Sequence, residues 1–178
     1  MAERYKKETM KTKANDALNL AFEDACMRTD TLSAMINLGK SSSTYMRQQE
    51  EEIRKAGKII PEKRKEAYEK GLEKIDANLR KTEGMLRQAT ALRRDLYELT
   101  NLMVTKHTEV TGTIDVNTYD KKRLTRIGEV AGKVAEHLES MGQKNAAENY
   151  RQASNAAFIF GGKMPDEKRT EKRARAEA

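Results

Sequence analysis

Tryptophan is absent from the 178-residue chain, aromatic residues make up only 5% of it, and a single cysteine, Cys26, accompanies two prolines, Pro61 and Pro165. One thiol cannot close an intrachain disulfide, so a disulfide-stapled scaffold is excluded, and the composition suits a reducing compartment. Few and scattered aromatics leave no platform on which successive bases of a single strand would stack. No run approaches the roughly 20 apolar residues of a membrane span, so the chain is not expected to cross a bilayer. The opening MAERYKKETMKTK carries no apolar core, so a secretory signal is not expected either.

Chemistry-bearing residues are equally thin. The two histidines, His107 and His137, stand 30 positions apart and form no close pair of metal-ligating type. Cys26 falls in a heptad context that suits a small buried thiol better than a nucleophile with a base beside it. Gly39-Lys40-Ser41 copies the end of a phosphate-binding loop. Ala34 replaces the glycine that motif needs five residues earlier, and a helical pattern precedes it where a strand is required. The expectation is a protein without catalytic residues, resident metal, cofactor or small-molecule substrate.

Charge and helical periodicity dominate what is present. Charged residues make up 35% of the chain and hydrophobic ones 37%, a balance that fits long helices with a narrow buried stripe. Tyr68, Leu72, Ile75, Leu79, Thr82, Leu86 and Ala89, then Leu92, Leu96, Leu99 and Met103, recur at spacings of three and four. That period keeps them on one side of a helix and predicts a packing seam of Leu72, Ile75, Leu79, Leu86, Leu96, Leu99 and Met103. Upstream, Leu18, Phe22, Ala25, Leu32, Ile36, Met46, Ile53 and Ile60 fall near heptad positions. The small residues Gly39 to Ser43 interrupt them, marking a bend, a break or a place of close approach.

Gly57-Lys58-Ile59-Ile60-Pro61 separates the two patterns. A glycine suits a helix C-cap, and proline opens a helix but disfavours helical geometry in the residue before it. Residues 106–118 lose the helical period and read as a loop with a short extended segment. A third pattern (Leu124, Ile127, Ala131, Val134, Leu138, Met141, then Ala146, Tyr150 and Ala153) ends at Gly161-Gly162, with Asp115 or Thr118 as candidate cap. The expected fold is all-α. A long antiparallel hairpin of helices at about 14–57 and 62–105 carries a third helix at about 119–159 packed back on it, as an elongated three-helix bundle. Residues 1–13 read as a basic arm or the start of a helix, and residues 161–178 as a charged tail.

Net charge is +7, which favours anionic partners. Arg87, Arg93 and Arg94 on the second helix and Lys121, Lys122, Arg123 and Arg126 at the start of the third are the candidate polyanion contacts. They are able to hold phosphates by charge and forked hydrogen bonds. Bases at a helix start oppose its dipole, so an arriving anion would relieve both. The same side chains also read as solvated faces paired with glutamates.

Tyr68-Glu69-Lys70-Gly71-Leu72-Glu73-Lys74-Ile75-Asp76-Ala77-Asn78-Leu79, followed by Glu83, resembles the second helix of the ESCRT-III membrane-remodelling subunits, and the basic start and hairpin resemble that family's layout. The resemblance implies a membrane-surface role. The tail EKRTEKRARAEA lacks that family's acidic, leucine-bearing end. A shorter stretch around Met46, Gln49 and Ile53 is similar to SNARE helices and stops at Pro61. From the residues themselves, the expected function is a non-catalytic assembly subunit. It would associate with its own copies or partner helices and engage a polyanion, nucleic acid first, in the cytoplasm or inside a macromolecular particle. A membrane-surface remodelling or tethering protein and a plain coiled-coil adaptor are the competing readings.

Overall fold

The computed structural model describes residues 2–57 and 60–162, with side chains from Tyr5 onward. The described residues contain no strand, and the all-α expectation holds. The described residues form five α-helices: α1 (Ala2–Ala56), α2 (Glu62–Met103), α3 (Lys106–Thr111), α4 (Lys121–Ser140) and α5 (Lys144–Gly161). A 3-10 turn at Val116–Thr118 precedes α4. The charged C-terminal tail expected from the sequence lies, from residue 163 on, outside the described residues. The chain divides into two compact units, one of Asp30–Ala91 and the other of the residues on either side of it.

The Asp30–Ala91 unit is an antiparallel hairpin of two helices. Gly39 meets Leu86, Arg47 pairs with Glu83, and Arg54 reaches Asp76. The Gly39–Ser43 stretch neither breaks nor interrupts α1. A Cβ at Gly39 would sit 2.6 Å from Leu86 Cδ2, so the missing side chain is what allows the close approach. Gly57 serves differently from the cap expected of it. It has no positive φ, and a Cβ there would lie 2.1 Å from the Tyr68 hydroxyl. That hydroxyl donates to the Ile53 carbonyl at 2.8 Å and satisfies one acceptor in the last turn of α1.

The second unit buries most of the core. Ala14, Leu18, Ala21 and Ala25 of α1 and Leu92, Leu96, Leu99 and Met103 of α2 are buried. So are Ile127, Val130, Ala131, Val134 and Leu138 of α4 and Tyr150, Ala153 and Ala157 of α5. The basic arm expected at 1–13 is helical from Ala2, and its Lys11 bonds Asp115 at 3.1 Å. One and two turns further on, the Asn15 and Asn19 side chains accept from the Val116 and Ile114 amides. Three polar side chains on one face of α1 thereby hold an irregular segment that has no ladder of its own.

The single third helix expected at 119–159 is two helices. Gly142 takes φ 78°, and the Gly142 and Gln143 amides return to the Glu139 and Leu138 carbonyls, closing α4 with a left-handed glycine cap. α5 then runs back along α4. Phe158 packs on Gly128, and Ser154 Oγ donates to the Gly128 carbonyl at 2.7 Å. Gly162, with φ 78°, ends α5 where the paired glycines are expected to stop it.

The seam divides along the same line. Leu96, Leu99 and Met103 are fully buried, while Leu72, Ile75, Leu79 and Leu86 are only half-buried, because two helices cover one another on one side alone. Leu99→Ala is expected to cost about 2–5 kcal/mol in denaturant titration, and Leu79→Ala less than half of that under dilute conditions. Equal costs at the two sites would contradict this division.

Candidate functional site

Most of the candidate polyanion contacts lie around the α2 C-terminus and the α4 N-terminus, and the geometry there is set by capping. The last carbonyls of α2 have no partners within the helix. Arg123 supplies them: Nε donates to the Leu102 carbonyl at 2.8 Å, and Nη2 to those of Val104 at 2.6 Å and Asn101 at 3.4 Å. Its guanidinium carbon also stands 5.5 Å from the centre of the Tyr119 ring. Both the Tyr119 hydroxyl and the Thr108 hydroxyl (at 3.2 Å) donate to the Met103 carbonyl. Burial raises the Tyr119 phenol above its ordinary range, against smaller opposing effects from Thr108 and the Arg123 charge.

The α4 N-terminus has its own anion. Neither Asp115 nor Thr118 caps it: Asp120 does, its carboxylate accepting from the Arg123 amide at 2.7 Å. Asp115 caps the preceding 3-10 turn through the Asn117 amide. Partial burial pushes the Asp115 carboxyl up, but the Asn117 amide and the Lys11 ammonium together outweigh it and hold it below the usual carboxylate range. The Asp120 carboxylate answers the dipole of α4, so the basic residues beside it need no outside anion for that purpose.

The other candidates are paired with acids or exposed. Arg126 is engaged by Glu98 and Glu129, and Glu98 raises its already high pKa through a hydrogen bond and charge. Arg94 lies 3.2 Å from Asp95. Arg93 is exposed on the same stretch of α2. The register that joins Arg123 to Leu102 sets Arg94 eight residues back, about 12 Å along α2. Lys121 and Lys122 are exposed at the start of α4. Arg87 is exposed and belongs to the Asp30–Ala91 unit. Within the unit that holds α4, the Arg126–Glu98 contact brings the α4 group to within about one helical turn of Arg94 on α2.

Two polar clusters escaped the sequence reading. Asp95 is the one buried charged side chain among the described residues. It sits on the core face of α2 and meets His137 Nε2 of α4 at 3.1 Å. The signal for it was an acid at a seam position, between Leu92 and Leu96. In the second cluster the fully buried Tyr150 faces Asp24, which Arg28 holds, and Arg28 also reaches the Gln143 side chain at 2.7 Å. The Tyr150 hydroxyl has no partner in hydrogen-bond geometry. Burial first, then the Asp24 charge, push its phenol far above the ordinary range.

Clefts in this unit include the following two. One of about 430 Å³ follows the α4–α5 contact and is edged by Glu129, Lys133, Glu136 and Arg151. Another of about 340 Å³ lies between α1 and α5, with Met10, Ala14, Ala17, Ile159 and Phe160 among its walls. Ser154, the hydroxyl of the first cleft, is committed to the Gly128 carbonyl. No group of three or more metal-ligating side chains gathers among the described residues, and no described helix is long and apolar enough to cross a membrane. No protein-family model matches the chain, and no curated protein or solved structure matches it either.

Arg123→Met is expected to lower stability by about 1–3 kcal/mol, because it strands carbonyls at the α2 terminus; thermal unfolding measures this, and an unchanged midpoint would contradict the capping role. Tyr150 titrates at about pH 10 when unfolded and higher when folded, so its contribution is complete below pH 10 and is lost as pH rises above it. Tyr150→Phe is expected to remove one proton from the alkaline stability slope, with neutral-pH stability held or raised. An alkaline slope identical to that of the parent protein would contradict it.

Proposed function

We propose that this protein is a non-catalytic helical assembly subunit that joins further helices through its Asp30–Ala91 hairpin and engages a polyanion, nucleic acid first, through exposed basic side chains. One observation carries the reading. The hairpin leaves Leu72, Ile75, Leu79 and Leu86 half-buried on α2, while Met35, Leu38 and Tyr45 on α1 and Met85 on α2 stand exposed. Apolar seams of this kind gain their burial when another helix covers them.

The non-catalytic reading rests on where the titratable side chains spend their hydrogen bonds: His137 on Asp95, Arg123 on backbone carbonyls and Arg151 on Glu139. The polyanion reading rests on the +7 net charge and on Lys121 and Lys122, which remain at the surface beside the capped helix start. A reducing interior, cytoplasmic or within a particle, fits a chain with one cysteine.

Molar mass in solution, with and without a short duplex, tests this reading. The expected result is a mass above the 20.2 kDa of one chain and duplex binding that weakens steeply with salt. Lys121→Glu with Lys122→Glu is expected to reduce binding at least tenfold without moving the thermal midpoint. A single-chain mass under all conditions, with no duplex bound at low salt, would overturn the proposal. Binding to anionic vesicles in place of duplex would move the polyanion to a membrane surface.

A further inference from the structure

From Thr31 to Gln49 only Lys40 and Arg47 carry charge, in a protein where 35% of residues are charged. Neither lies on the outer face of α1. Arg47 pairs with Glu83 of α2, and Lys40 stands two positions after Leu38, about 200° around the helix. What the outer face presents is Met35, 59% exposed, Leu38, 72%, and Tyr45, 62%, with exposed Ala34, Ser41 and Ser42 between them. Leu32, Ile36 and Ser43 are buried on the opposite side. This helix therefore has two low-charge faces, of which the hairpin covers one.

We propose that the outer face of α1 between Thr31 and Gln49 is a homodimer interface, covered in solution by the same face of a second copy running antiparallel. The proposal rests on the assembly reading above and names the partner. Three features of the face select a second copy. It carries no ion that would lose water on burial, so its contact with an identical face brings no like charges together. It contains both projections and gaps, as a two-fold contact requires of a single surface. One register also satisfies all three large side chains: with the axis at residue 40, Leu38 of one copy faces Ser42 of the other, and Met35 faces Tyr45. Leucine then fills the space that serine leaves, and a flexible thioether lies against an aromatic ring. The contact runs for about 28 Å along each helix.

The test uses the full chain in sedimentation equilibrium and thiol cross-linking. Leu38→Glu is expected to weaken dimerisation at least tenfold with the circular dichroism and thermal midpoint of the monomer preserved, since Leu38 is mostly exposed. Ser42→Cys in a Cys26→Ser background is expected to give a covalent dimer with a short bis-maleimide, and Lys40→Cys, on the far side of the helix, far less. A dimer that persists in Leu38→Glu and does not cross-link through Ser42→Cys would overturn this interface and leave the assembly reading intact. A single-chain mass at every concentration overturns the dimer, and the assembly reading then stands or falls on the duplex measurement.

Discussion

A helix pair can seal only the stripe that each helix turns to the other, and the Asp30–Ala91 hairpin lives within that limit. Its helices approach closely because Gly39 has no side chain to hold Leu86 away. Even so, the α2 seam from Leu72 to Leu86 stays half in water. Burial is worth about 25 cal/mol per Å² of apolar surface, so a seam of this kind retains much of its driving force for further association. The functional proposal follows from that unspent surface.

The other unit solves the same problem by adding layers. α4 and α5 fold back on one another, with Gly128 making room for Phe158, and they cover the alanine-rich stripe of α1 and the last turns of α2. The layering depends on where helices stop. Arg123 accepts the task of ending α2, Asp120 starts α4, and Gly142 turns it into α5. Side chains that look from their charge like ligands for something outside thus hold the chain's own termini. Burying Asp95 against His137 fixes one relation between α2 and α4, as a buried polar pair must be satisfied by its particular partner.

The heptad spacing made the long helices legible, and the turn before Glu62 was legible from Gly57 and Pro61. The depth of burial was not. Leu79 and Leu99 belong to one run of three- and four-residue spacings, and the number of covering helices distinguishes them. The α4–α5 break was hidden because the apolar period continues through Ala146 and Tyr150 while Gly142 changes the chain's direction. The cap at Asp120 lies five residues after Asp115, and the two acids look alike in sequence because both precede a helical pattern. Among the basic residues, sequence gave their sign but not their engagement. Arg123 and Lys122 are neighbours, yet one is bound to three carbonyls and the other is exposed at the surface.

Amide hydrogen exchange of the full chain as a function of its concentration tests most directly whether the hairpin gains its missing cover from another molecule. Protection across residues 30–91 should rise with concentration while that of Leu92–Gly162 stays constant. Protection of the hairpin that is independent of concentration, and already equal to that of α4 at the greatest dilution, would contradict the account.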